Sequence, residues 1–268
     1  MVTLFLALSN SYALPPQIET RARSSMRNDI DHKVVTVDCP PGFYAIGGGG
    51  TIVEDAYQGQ ISWSGPTPGR PIGTSWSVAG DETYDPGGGA WGIQAVATCV
   101  NRTVWSALRT KEITGRVGAG VSEVTATCPA GTKVISGGLA LTDPANGFSR
   151  MLASTPSGTD TWRATFLAIE DTDFSVTAIC APTPFWNVHF SQVVLQSGAG
   201  EDYQVLFMTC PSGFPVSTGA EISGPEATEA VFYGIDGGPD FAYADASIQP
   251  FGGGMDWRLT LTGTCYAP

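Results

Sequence analysis

Residues 39–50 read CPPGFYAIGGGG, a cysteine, a turn and four consecutive glycines in one short stretch. The stretch recurs. CPAGTKVISGGL starts at Cys128, and CPSGFPVSTGAE starts at Cys210. A Cys-Pro-x-Gly step therefore opens three similar segments. Apolar residues follow at Ala45, Val134 and Val216, then glycines: Gly48 and Gly49, Gly137 and Gly138, and Gly219 before Ala220. Proline cannot donate to a strand ladder and glycine tolerates positive φ, so the step ends one strand and turns the chain. Glycine inside the following strand marks a bulge or another backbone passing closely. A nucleotide-binding loop would need a helix start after the glycines. Here more strand-like sequence follows, with no phosphate-reading lysine in register.

The cysteines extend this pattern. The gaps from Cys39 through Cys99, Cys128, Cys180 and Cys210 to Cys265 are 60, 29, 52, 30 and 55 residues. Alternation means two cysteines per unit and three units. Six cysteines permit 15 pairings, and sequence alone does not choose among them. Pairing within units gives Cys39–Cys99, Cys128–Cys180 and Cys210–Cys265. Pairing across junctions gives Cys99–Cys128 and Cys180–Cys210, leaving Cys39 with Cys265. Symmetry favours the first set, which uses one geometry three times. Zinc would want close pairs of the C-x₂-C kind, and the sequence has none. Disulfides agree with an oxidising compartment.

The repeat also reaches beyond the cysteines. VWSALRTKEITGRVGAGVSEVTATC ends at Cys128 and FWNVHFSQVVLQSGAGEDYQVLFMTC at Cys210, both with a GAG between tryptophan and cysteine. Each unit closes on a cysteine-ending run: WGIQAVATC, FSVTAIC and WRLTLTGTC. Trp76, Trp162 and Phe241 align and are expected to anchor the core. Each unit holds about six short runs rich in Val, Ile, Thr and aromatics, bounded by Gly, Pro, Asp and Ser. No window shows a capped helical stripe. The expectation is an all-β chain of three tandem disulfide-bearing repeats, residues 16–101, 102–182 and 183–268. The joins CVNRTVW and CAPTPFW are too short for flexible linkers. Fusion with pseudo-threefold symmetry follows, as a β-prism-like body or three docked sandwiches.

Residues 1–15 stand outside the repeat. An apolar run from Val2 to Leu8 leads to small residues and SYA before Leu14. This resembles the end of a secretory signal peptide, although the positively charged start is missing. The segment is expected to be signal-peptide-like or disordered, or an unusual strand. The first reading predicts a secreted, extracellular protein. No other stretch is long and apolar enough to span a bilayer. The formal charge of −12 repels phosphate backbones, which argues against a nucleic-acid partner.

Cysteine, proline, glycine and a small-residue strand, with a later strand ending in cysteine, three times over, resembles the vitelline membrane outer layer protein I family. The resemblance rests on the segments after Cys39, Cys128 and Cys210 and on the threefold count. It implies a secreted β-prism associated with glycans, and it carries no catalytic residue onto this chain.

Candidate chemistry is sparse. His32 and His189 are the two histidines, and no G-x-S-x-G elbow presents a serine. Acids cluster at Asp81, Glu82 and Asp85, at Glu170, Asp171 and Asp173, and at Asp236, Asp240 and Asp245, all expected in loops. A carboxylate pair could serve a glycosidase. The stretch DETYDPGGG from Asp81 offers oxygen ligands to calcium, although EF-hand spacing is missing. Trp63 has no aromatic match at Leu152 in the second unit, whereas Phe232 or Tyr233 can answer it in the third. An exposed Trp63 beside Tyr84 and the acids Asp81, Glu82 and Asp85 would form a sugar platform. The expected function is thus a secreted non-catalytic protein binding glycan or another surface ligand. A carboxylate-dependent hydrolase and a purely structural coat or matrix protein are the alternatives.

Overall fold

A computed structural model describes residues 18–53, 59–70, 73–82, 90–103, 105–142, 149–183, 189–197, 202–237, 241–248 and 256–267. The signal-like residues 1–15 lie outside this set. Among the described residues the chain is all-β, and its only other regular element is a 3-10 turn at Ala227–Glu229. The first unit supplies β1 (Ile18–Ser24), β2 (His32–Asp38), β3 (Phe43–Val53), β4 (Gly59–Pro66), β5 (Ser75–Glu82) and β6 (Gly92–Asn101). The second supplies β7 (Arg109–Val117), β8 (Gly120–Thr127), β9 (Thr132–Thr142), β10 (Arg150–Pro156), β11 (Thr161–Ala168) and β12 (Thr172–Pro182). The third supplies β13 (His189–Gln196), β14 (Tyr203–Met208), β15 (Phe214–Ser223), β16 (Ala230–Gly237), β17 (Ala242–Ile248) and β18 (Arg258–Ala267).

Pairing repeats three times and is antiparallel throughout. The sixth strand of each unit lies between the first and third, as β1–β6–β3, β7–β12–β9 and β13–β18–β15. The fifth lies between the second and fourth, as β2–β5–β4, β8–β11–β10 and β14–β17–β16. One disulfide clamps each unit: Cys39–Cys99, Cys128–Cys180 and Cys210–Cys265, with Cα separations of 5.7, 5.8 and 5.6 Å. These are the within-unit pairs that symmetry favours. In each unit the first cysteine stands just before the third strand, and its partner lies within the sixth. Gly42, Gly131 and Gly213 take φ of +87°, +80° and +75°, the left-handed turn that the Cys-Pro-x-Gly step requires.

The glycines after that turn explain why three units fuse. A Cβ on Gly49 would come 1.8 Å from the carbonyl oxygen of Ile235 on β16. On Gly138 it would meet Gly65 Cα at 2.3 Å and the Ser64 oxygen at 2.7 Å on β4. On Gly219 it would meet Thr155 Cα at 2.8 Å and the Ser154 oxygen at 2.9 Å on β10. Ile235, Ser64 and Ser154 hold equivalent places, opposite Ala244, Val78 and Ala164. Each unit's third strand thus presses against a neighbour's fourth, and the contacts run in a cycle. The buried apolar side chains of all three units form one core. The structure is therefore β-prism-like. Two junctions carry short ladders, β16–β3 and β10–β15. At the remaining junction β4 lies against β9 without a ladder among the described residues.

The glycine beside each of these has a separate role. A Cβ on Gly48 or Gly137 would strike the indole of Trp76 at 2.7 Å or of Trp162 at 2.4 Å. Both indoles are buried, and each Nε1 donates to a serine hydroxyl, Ser64 at 2.9 Å and Ser154 at 3.0 Å. The third unit departs from the sequence expectation here. Phe241 is 41% exposed and is not a core anchor. Ala242 takes the tryptophan position, opposite Gly237 where Trp76 faces Pro66 and Trp162 faces Pro156. One residue of offset turns a strand side chain to the other face. With the indole gone, Thr218 takes the place of Gly48 and Gly137. The third strand of this unit also runs one residue short after its cysteine: Pro215 pairs with Cys265 as Ala45 pairs with Cys99. Gly219, rather than Ala220, is therefore the counterpart of Gly49 and Gly138.

Candidate functional site: a groove at the open junction

The β2 sequence HKVVTV alternates, so His32, Val34 and Thr36 share one face while Lys33 and Val35 are buried. Register sets His32 opposite Asp81 and Thr36 opposite Ser77 on β5. On β4, a bulge between Ile61 and Trp63 interrupts the ladder. The same bulge sits at Met151/Ala153 and Phe232/Gly234, so the true counterparts of Trp63 are Ala153 and Gly234. Trp63 has room because its cross-strand partner is Ala79. Leu141 of β9 closes the far side, and together these elements enclose a groove of about 250 Å³ at the junction that lacks a ladder.

Trp63 is 6% exposed, so it forms the groove's floor and is not the exposed platform expected from sequence. One side of the groove is polar, whereas Val34, Pro68 and Leu141 line it with apolar surface. Ser77 Oγ lies 2.8 Å from Thr36 Oγ1 and 2.7 Å from Thr67 Oγ1, a row of three hydroxyls that can each donate and accept. His32 Nδ1 lies 2.6 Å from Asp81 Oδ1, and Asp81 is 2% exposed. Facing a carboxylate, Nδ1 is the donor, and the buried acid fixes the ring at the groove's rim. This is no hydrolase triad. Ser77 stands four residues along β5 from Asp81, roughly 13 Å at strand rise, so it does not reach His32.

The remaining candidate residues separate. Asp81 and Glu82 lie in β5, not in a loop, and adjacent strand residues face opposite ways. Glu82 turns to Asp31, whose backbone oxygen accepts its N–H at 2.7 Å. Burial raises the Glu82 pKa, and the Asp31 carboxyl raises it further by charge and hydrogen bonding. Asp81 and Glu82 therefore point to opposite faces and do not converge on one glycosidic bond as a catalytic pair would. Lys33 beside them donates to Asn28 O at 2.9 Å and Ile30 O at 3.2 Å and sits 3.8 Å over Trp91, with its pKa lowered by burial. Tyr84, Asp85 and Asp240 lie outside the described residues. Asp236 and Asp245 also lie within strands. No group of three or more His, Cys, Asp or Glu side chains suited to a metal occurs among the described residues, so the calcium reading gains no site there.

No protein-family model matches this sequence, and no curated protein matches it. The site therefore rests on its own geometry. On the equivalent face of the second unit, Arg163 bonds Glu221 at 2.6 Å and Glu123 at 3.3 Å, so ion pairs occupy that surface. The hydroxyl row of the first unit escaped sequence reading, although alternation in HKVVTV is the signal that places His32 and Thr36 together. No helix among the described residues is long and apolar enough to cross a membrane.

Proposed function

We propose that this chain is a secreted, non-catalytic protein that binds a glycan in the groove between its first two units. The carrying observation is one groove of about 250 Å³ that combines the Trp63 floor, the Thr36–Ser77–Thr67 hydroxyl row and the His32–Asp81 pair. A saccharide offers apolar C–H faces to an indole and many hydroxyls to a donor–acceptor row. Three disulfides support an oxidising, extracellular setting. The β-prism-like repeat fits the resemblance to the vitelline membrane outer layer protein I family, whose association with glycans points the same way.

The test is a titration of the full chain with neutral tri- and tetrasaccharides, followed by NMR shifts of β2, β4 and β5 amides. Saturable binding is expected, weakened about tenfold by the double variant Thr36→Val, Ser77→Ala through loss of two hydrogen bonds. Absence of binding at millimolar saccharide, or shifts confined to other strands, defeats the proposal.

A further inference from the structure

A second cavity, of about 320 Å³, opens between the first two units and shares no lining residue with the groove. The first unit contributes Tyr44 and Ile46 from β3. The second contributes Leu108 and Arg109 at the start of β7, and Ile179 from β12. Ile46 and Ile179 are buried, and Tyr44 and Leu108 pack partly buried against the core. A mostly apolar recess of this size with one charged group at its wall is the usual form of a small-ligand pocket.

Register singles this junction out. Tyr44 pairs with Val100, and its counterparts are Lys133 and Phe214, which pair with Ala181 and Tyr266. Ile179 stands just before Cys180, where the first and third units have Thr98 and Thr264. Arg109 pairs with Cys180, whereas Glu19 pairs with Cys99 and Ser191 with Cys265. The matching trios at the other two junctions are therefore Lys133, Thr264 and Ser191, and Phe214, Thr98 and Glu19. Neither joins two apolar walls to an arginine, so the repeat forms without that combination.

The charge at this cavity is positive. Arg109 is exposed, and its Nη1 donates to the carbonyls of Ala107 at 3.2 Å and Leu108 at 2.9 Å. These bonds hold the guanidinium in place, and Nε and Nη2 have no partner among the described residues. Arg102 donates from Nε to Phe43 O at 2.9 Å and sits 4.6 Å over the Tyr44 ring, bracing that wall. Neither arginine forms an ion pair among the described residues, in a chain with 25 acidic residues against 13 Lys and Arg. Glu112 lines the adjoining recess and accepts the Ser175 hydroxyl at 2.6 Å, so an anionic group is disfavoured at that end and favoured at Arg109. Hydrocarbon gains by leaving water for such walls, and a guanidinium pairs with a carboxylate through two parallel bonds.

We propose that this cavity binds a small apolar monocarboxylate, with Tyr44, Ile46 and Ile179 around its hydrocarbon part and Arg109 on its carboxylate. The proposal is independent of glycan binding, because the cavity and the ligand class both differ.

The experiment titrates the full chain with hexanoate, its neutral analogue hexanamide, and acetate at constant ionic strength, following amide shifts in β3, β7 and β12. Hexanoate is expected to bind saturably there. Hexanamide should be at least about tenfold weaker for want of the charge, and acetate at least about tenfold weaker for want of hydrocarbon. Arg109→Gln, at an exposed position, is expected to weaken hexanoate about tenfold and to leave hexanamide unchanged. Ile179→Thr installs the residue type that the other two units carry at this place, and is expected to weaken hexanoate several-fold. Equal binding of hexanoate and hexanamide, no saturable binding at millimolar hexanoate, unchanged hexanoate affinity in Arg109→Gln, or shifts confined to β2, β4 and β5 would each overturn the proposal.

Discussion

Gly49→Ala probes the interlock between units. The new Cβ would stand 1.8 Å from Ile235 O and 2.7 Å from Asp236 Cα. Ordinary non-bonded contact begins at roughly 3.5 Å. β16 must therefore retreat by about 1.7 Å, or β3 must bend away from β6. Either movement strains the short ladder in which Gly234 pairs with Thr51 and Ile235 with Gly50. Overpacking of this kind costs about 3 kcal/mol, at the upper end of the usual range. For a chain of this size that corresponds to roughly 6–12 °C in Tm. The assay is thermal and urea unfolding of disulfide-intact protein, with Gly118→Ala as control. At Gly118 the nearest neighbour of an added Cβ is Asp171 Oδ1 at 3.7 Å, so that variant should stay within about 0.5 kcal/mol of wild type. If Gly49→Ala melts together with Gly118→Ala, the close approach of β3 to β16 is wrong.

Ser154→Ala leaves the buried Trp162 Nε1 without its acceptor and should cost about 1–3 kcal/mol in urea unfolding; no measurable loss would contradict the Trp–Ser pairing. Removing the Cys39–Cys99 bond by double substitution frees a 60-residue loop and should lower stability by about 4 kcal/mol on the chain-entropy estimate. Asp245 is buried with a raised pKa, so the folded state holds its proton more tightly than the unfolded chain does. Its contribution to stability therefore falls as pH rises from the ordinary carboxylate value, about 4, through the raised folded value. Asp245→Asn should melt above wild type at pH 7, with the gap closing below about pH 4. A gap independent of pH would show that the buried charge is not its cause.

The parts of the fold fixed by periodic features were legible in the sequence. The cysteine alternation yields the three disulfides, the Cys-Pro-x-Gly step yields the three left-handed glycines, and the strand-like runs yield six strands per unit. What failed was register inside the third unit. One residue fewer between Cys210 and its bulge shifts Gly219 onto the place of Gly49, and no composition signal marks that shift. Phe241 illustrates the same limit, because an aromatic one position from Ala242 reads as a match yet points to solvent. The candidate site was half visible. Trp63 and Asp81 both belong to the groove region, but Trp63 as floor and Asp81 as buried support for His32. Their roles depend on cross-strand register and on Leu141 of another unit, which no local pattern encodes.

The central claim is that one disulfide-clamped β module occurs three times, each copy clamped by its own disulfide and packed against its neighbours. Non-reducing peptide mapping tests this most directly. Trypsin with a glutamate-specific protease separates all six cysteines, the latter by cutting at Glu201 between Cys180 and Cys210. The expected linked peptides contain Cys39 with Cys99, Cys128 with Cys180, and Cys210 with Cys265. A peptide joining Cys99 to Cys128 or Cys180 to Cys210 would contradict the account.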